Sequence, residues 1–267
     1  MELNNIRVVL VNTSHPGNIG GVARAMMNMC LKHLYLVSPH RFPSEKARAR
    51  ASGAVGVLNN AVVVDSLAEA VADCGLVFGA SARERSIDWP SVEPRQCAAQ
   101  VAEASPGTPV ALVFGNETAG LSNAELAHCN YLVHIPANPD YSSLNLAAAV
   151  QVVAYEMYLA WREAADSAAV PHTGTTASMA PEKGWASMAD LEGFYTHLTE
   201  TLTALEFYDP DNPRQLMHRL RRLFNRARLD RMEVNILRGI LTAAQKAAAS
   251  RNQASPARRG GQGADTV

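Results

Sequence analysis

Three loops hold the residues of this chain whose types and spacing could do chemistry. The first runs Asn12-Thr13-Ser14-His15-Pro16-Gly17-Asn18-Ile19-Gly20-Gly21-Val22-Ala23-Arg24 and follows the apolar run Arg7–Val11. Asn18 has the side chain of an N-cap, which predicts a helix from Ile19. Gly20 and Gly21 in its first turn let a backbone or a ligand approach closely. Arg24 falls about one turn further on, where its planar fork can grip a phosphate at the loop mouth. The glycines at 17, 20 and 21 do not form G-x-G-x-x-G, so a dinucleotide-dependent oxidoreductase is disfavoured. His15 stands alone and is assigned no role.

The second loop, Phe114-Gly115-Asn116-Glu117-Thr118-Ala119-Gly120, leaves a buried apolar run directly. Ligands collect at such carboxyl ends in open α/β sheets. Glu117 has two readings: a group on the substrate side, or a cap or ion-pair partner that holds the loop. The third loop, Ile135-Pro136-Ala137-Asn138-Pro139-Asp140-Tyr141-Ser142-Ser143-Leu144-Asn145, is stiffened by two prolines. Ser142 or Ser143 can cap the helix that follows, with free backbone N–H groups at its start.

The elements that must position these loops read as alternating strands and helices. Apolar runs at Arg7–Val11, Leu34–Val37, Ala61–Val64, Leu76–Ala80, Val110–Phe114 and Tyr131–Ile135 are of strand length. Helical segments lie between them at Ile19–Cys30, Ser66–Ala72, Pro94–Glu103 and Ser143–Arg162. This is the pattern of an α/β fold with a parallel sheet covered on both faces. The last helix spaces Leu144, Ala147, Ala148, Val152, Tyr155 and Leu159 as a core or dimer face. Three ligand-competent turns on one sheet edge suit a nucleotide-like ligand.

Residues 1–163 thus form one domain. Residues 164–187, rich in Ala, Ser, Thr, Gly and Pro, read as a flexible linker, and 250–267 as a disordered tail. Between them, 188–249 show helical patterns at Met188–Leu205, Pro213–Ala227 and Arg231–Ala249. Asn212-Pro213 reads as N-cap and first helical residue, and Leu216, Leu220, Leu223 and Ala227 as a core stripe. From Arg214 to Arg231 there are seven arginines against one acid, Asp230, although the whole chain carries a net charge of −1. Arg219, Arg222 and Arg226 share one helical face that fits phosphate contacts, and a flexible linker would let the module swing onto a large RNA.

Other classes are bounded by composition. Cys30, Cys74, Cys97 and Cys129 form no zinc pattern and read as buried, reduced thiols of a cytoplasmic protein. No metal is expected. No signal peptide is evident, and no apolar stretch is long enough to span a bilayer.

NTSHPGNIGGVARAM (12–26), LVFGNETAGLSNAEL (112–126) and IPANPDYSSLNLAAAVQVVAYE (135–156) together resemble the motifs of the SPOUT class of RNA methyltransferases. Among these they are most similar to the bacterial enzymes acting on the ribose at position 32 of the tRNA anticodon loop. The basic segment Phe207–Leu229 extends the resemblance. It implies a SPOUT domain with a deep C-terminal trefoil knot, a feature that general topology disfavours, plus a small α-helical extension. It implies S-adenosylmethionine as methyl donor, contacted by Ala80, Ser81, Ala82, Gly115, Ile135, Ser142, Ser143 and Leu144, with the isoleucine and leucine packing the adenine. It implies tRNA as partner, with neither DNA nor a membrane, and a homodimer whose second subunit completes the site. The family gives catalysis to Arg24, either as base or as holder of phosphate and oxyanion, and Ser142 would orient the hydroxyl. Asn18, Glu117 and Asn145 fall on the substrate side. Arg83 and Arg85 could take phosphates. The alternatives are the same chemistry on another tRNA position or on rRNA, and a non-catalytic RNA-binding protein.

Overall fold

The computed structural model describes residues 1–82, 89–104, 107–168 and 184–253. Seven parallel strands form one sheet in the order β3-β2-β1-β6-β4-β7-β5. They are β1 (Ile6–Val11), β2 (His33–Val37), β3 (Val62–Val64), β4 (Leu76–Ala80), β5 (Ser91–Val92), β6 (Val110–Phe114) and β7 (Tyr131–Val133). The six expected runs are present. β5 was not expected, because two residues make no apolar run.

The helices are α1 (Pro16–Asn28), α2 (Glu45–Ala51), α3 (Val55–Asn59), α4 (Leu67–Val71), α5 (Pro94–Glu103) and α6 (Asn123–Leu126). They continue with α7 (Leu146–Ala168), α8 (Met188–Ala204), α9 (Leu216–Ala227) and α10 (Arg231–Gln253). Side chains alternate across a strand, and the sheet uses this to build two cores. Ile6, Val8 and Leu10 of β1 pack with Ile19, Val22 and Met26 of α1 and with Val150, Val153 and Met157 of α7. Val9 and Val11 face the other way, into a core completed by Leu67 and Val71 of α4 and by Leu191, Phe194, Tyr195 and Leu198 of α8.

The C-terminal helices are therefore seated on the sheet, contrary to the expected swinging module. The reason is apolar: α8 covers the part of the second sheet face that α4 leaves open to water. Polar contacts fix the seat. The Met188 and Ala189 N–H groups donate to the Cys74 and Ala72 carbonyls, each at 2.9 Å. Asn225 is fully buried, and its amide donates to the Ala127 and Cys129 carbonyls at 3.0 and 3.2 Å while accepting from the Tyr195 hydroxyl at 2.6 Å.

Four local expectations need correction. α1 starts at Pro16, with His15 in the capping position, so Asn18 lies inside the helix. α7 starts at Leu146, and the Asn145 side chain, not Ser142 or Ser143, accepts from the Ala147 N–H at 3.0 Å. α9 starts at Leu216 rather than Pro213, and its inward residues are Met217, Leu220, Phe224 and Asn225, with Leu223 exposed. Cys74, Cys97 and Cys129 are buried but Cys30 is exposed. No helix among the described residues is long and apolar enough to cross a membrane.

Candidate active site

The sheet places the ends of β4, β6 and β7 side by side, and their following loops enclose a cleft of about 770 Å³ including its open mouth. Its lining is mostly small: Ala80, Ser81 and Ala82 beyond β4, Gly115, Asn116, Glu117, Thr118 and Gly120 beyond β6. Val133, Ile135, Leu144 and Leu146 supply apolar wall, and Ser142 and Ser143 supply hydroxyls. Gly115 has to be glycine, because a Cβ there would overlap the backbone of Gly120 and Leu121. Gly120 adopts φ +67°, which suits a residue without Cβ.

Asn116 builds the β6 loop from inside. Its side-chain oxygen accepts from the Thr118 N–H at 2.9 Å and the Ala119 N–H at 3.3 Å, and its amide donates to the Asn12 carbonyl at 2.7 Å. Glu117 then joins this loop to the first one. Its carboxylate accepts from the Ser14 N–H and hydroxyl, both at 3.0 Å, from the His15 N–H at 3.2 Å and from the Asn18 amide at 2.9 Å. Partial burial raises the pKa of this acid, but the bonds from Ser14, Asn18 and His15 outweigh it and bring it down to about 2. The Asn18 oxygen in turn accepts from the Asn145 amide at 3.1 Å. Three loops far apart in sequence are thus one hydrogen-bonded unit. For Glu117 the geometry is that of a capping carboxylate set just ahead of α1.

Of the expected site residues, Ala80, Ser81, Ala82, Gly115, Ile135, Ser142, Ser143 and Leu144 all line the one cleft. Asn18 and Asn145 stand beside it in an adjoining groove. Arg24 is not among the cleft residues. It lies exposed on α1, with no hydrogen-bond or ion-pair partner among the described residues. Arg83 and Arg85 lie outside the described residues. On α9, Arg219 and Arg226 are exposed and Arg222 is half-buried. Arg221, on the same helix, pairs with Glu192 at 2.5 Å and stacks 4.4 Å over the Tyr195 ring, so it serves the fold. Sequence reasoning passed over Asn116, though an asparagine after a glycine, able to bond its own backbone two residues on, marks a turn builder. It also passed over Lys46 and Arg50, on a helix it did not expect. Among the described residues no group of three or more His, Cys, Asp or Glu side chains could hold a metal ion.

Comparison with known proteins agrees with this geometry. The SpoU rRNA Methylase family profile matches residues 5–155, and that of the tRNA methyltransferase TrmJ C-terminal domain matches 189–254. The chain is 52% identical to the tRNA (cytidine/uridine/adenosine-2'-O-)-methyltransferase TrmJ of Pseudomonas aeruginosa, covering 92% of this chain and 96% of that one. It is 50% identical to the tRNA (cytidine/uridine-2'-O-)-methyltransferase TrmJ of Klebsiella pneumoniae, over 91% of this chain and 98% of the relative. The crystal structure of TrmJ from Z. mobilis superposes with a TM-score of 0.75 at 34% identity, over 89% of this chain and 97% of that one. With profiles matched over both parts of the chain and half of its residues shared with such relatives, the chain belongs to the SpoU methylase family, in its TrmJ branch.

Proposed function

We propose that this protein moves the methyl group of S-adenosylmethionine to the ribose 2′-hydroxyl of the nucleotide at position 32 in the tRNA anticodon loop, as a cytoplasmic homodimer. One observation carries the reading: eight positions that the resemblance gives to the donor, from three separate loops, line one cleft, in a chain half identical to named tRNA 2′-O-methyltransferases. The relatives differ in the bases their names include, with adenosine added in Pseudomonas aeruginosa. Cytidine and uridine are the targets proposed here.

The lining suits the donor. Small residues and glycine expose backbone groups to the polar parts of S-adenosylmethionine, and Ile135 and Leu144 offer apolar surface to the adenine. When bound, the donor supplies a sulfonium methyl open to in-line displacement by an oxygen nucleophile. The chain's task is then to place the ribose hydroxyl and to stabilise charge on its oxygen. Ser142, in the cleft wall, orients that hydroxyl. Arginine keeps its proton in proteins, so Arg24 serves as a cation that holds the neighbouring phosphate and the developing oxyanion, and not as a base. Its place on the outer side of α1, away from its own cleft, suits service to the cleft of a second subunit. The same reading accounts for the exposed Val152 and Tyr155 of α7 and the exposed Met27 of α1. The knotted chain path implied by the resemblance belongs to the same proposal, as does the division into two domains, although α7 carries the first of them to Ala168, past the expected limit at 163.

The test is methyl transfer from labelled S-adenosylmethionine to unmodified tRNA, with nucleosides resolved, for wild type and Arg24→Ala. A 2′-O-methylated nucleoside at position 32 with wild type, lost in a variant that still binds donor, is expected. Donor binding without labelling of tRNA would overturn the assignment. An active monomer on gel filtration would overturn the dimer.

A further inference from the structure

A second groove adjoins the donor cleft; it holds Asn18 and Asn145, and the cations that face it have no part in the site as described. Its walls are the start of α1, the outer side of α2 and the residues that open α7. The two depressions meet at Asn18, which lines the groove and donates to Glu117, a cleft residue, at 2.9 Å. Two cations face the groove, Lys46 and Arg50, spaced i, i+4 and so on one side of α2. Gly20 brings them there. A Cβ at that position would overlap the Ala47 carbonyl, so its absence lets α2 seat directly on α1.

The chemistry of the groove is one-sided. Among the described residues its other polar residues are His15, Asn18 and Asn145, and none of them is a carboxylate. The Lys46 ammonium uses one of its three donors on the His15 ring nitrogen at 3.1 Å and keeps two. The Arg50 guanidinium has no hydrogen-bond or ion-pair partner among the described residues. Arg48, between them in sequence, turns away and donates to the Asn59 side chain at 3.2 Å. The floor carries glycine or alanine at 17, 21, 49 and 147, which leaves room for a polymer backbone.

We infer that this groove is a phosphate track for the RNA strand next to the target ribose, with Lys46 and Arg50 each pairing with a backbone phosphate. The inference rests on the tRNA reading above and adds to it the face from which the strand enters. Both cations work by charge, so the track grips any sequence alike and weakens with salt.

The experiment compares full-length wild type with the double variant Lys46→Gln/Arg50→Gln and with Arg48→Gln, measuring tRNA methylation kinetics, tRNA affinity across salt and S-adenosylmethionine affinity. For the double variant, KM for tRNA should rise about five- to tenfold, and the log–log salt slope should fall by about 1.5, for two lost phosphate contacts. Donor affinity and kcat at saturating tRNA should hold, and Arg48→Gln should match wild type. An unchanged KM and slope, a loss of donor binding in the double variant, or an equal effect of Arg48→Gln overturns the track. If wild type methylates tRNA and the double variant is unaffected, the track alone fails. If wild type neither binds nor methylates tRNA, the tRNA reading fails and the track falls with it.

Discussion

Replacing Glu117 by glutamine keeps the size of the side chain and removes its charge. The carboxylate holds the Ser14 and His15 N–H groups and the Asn18 amide, all donors. A glutamine can turn only one oxygen to them, and its own NH₂ then faces a donor. Lowering the pKa from 4.5 to about 2 would correspond to about 3 kcal/mol if wholly expressed as stability. Because the carboxylate is partly open to water, about 1–2 kcal/mol is the expected contribution. The sign follows from the depressed pKa: the contribution is full above the unfolded value near 4.5 and is lost as pH falls towards 2. Urea unfolding of wild type and Glu117→Gln should differ by a constant amount from about pH 6 upward, with about half of that difference gone by pH 3. Turnover should fall at least about tenfold, since Glu117 sets the first loop against the cleft. A stability difference that stays the same from pH 6 to pH 3, or none at neutral pH, would refute the assignment of Glu117 as the charged clasp between the loops.

Other substitutions separate the parts of the machine. Gly115→Ala places a methyl group on the Gly120–Leu121 backbone. Calorimetry should find donor affinity at least about tenfold weaker, a loss of about 1.4 kcal/mol or more, and wild-type affinity would show that the loop yields freely. Asn225→Ala removes the donor to the buried Ala127 carbonyl and one of the bonds of the Cys129 carbonyl and the Tyr195 hydroxyl, which keep the Trp89 indole N–H at 3.1 Å and the Arg221 carbonyl at 3.3 Å. It should cost about 2–4 kcal/mol in denaturant unfolding, and a loss under 1 kcal/mol would mean that the contact does not hold α9 to the sheet. Arg219→Ala combined with Arg226→Ala should raise the KM for tRNA and flatten its salt dependence, with donor affinity intact. An unchanged salt slope in filter binding would reduce the pair to solvated surface charge.

The strands that carry the site were legible because each is a continuous apolar run, which a parallel sheet covered on both faces requires. The loops after β6 and β7 were legible as ligand-competent turns, but the lining beyond β4 was legible only through the resemblance, since the polarity of Ala80, Ser81 and Ala82 says nothing of a ligand. The helix starts were misread where a capping residue had another use. Asn18 looks like an N-cap, yet its amide is taken by Glu117, 99 residues away, and its oxygen by Asn145, 127 residues away. No local pattern encodes such a contact. Charge counting likewise could not sort the arginines of this segment. Seven arginines in a row of eighteen residues suggest a uniform basic face, but Arg221 is held by Glu192 and Tyr195, and Arg228 lies 4.4 Å over the Trp185 ring. Which cations are left for phosphate is decided by the docking of α8, whose apolar face was visible but whose seat on the sheet was not.

The clasp explains how so many small, weakly functional residues can act together. A ligand held by backbone groups demands loops fixed to within a fraction of an ångström, and glycine, alanine and serine have no side-chain bulk with which to fix themselves. Here the fixing is delegated. Asn116 rigidifies the β6 loop, Glu117 binds that loop to the first, and Asn18 passes the constraint on to Asn145 at the head of α7. The cleft geometry therefore rests on four polar side chains. The same Asn18 forms the wall of the Lys46–Arg50 groove. A strand lying in that groove would press on the residue that couples all three loops, so RNA binding and donor binding share a structural element. On this argument, substitutions at Asn18 should disturb both affinities together, whereas those at Gly115 should act on the donor and those at Lys46 and Arg50 on the RNA.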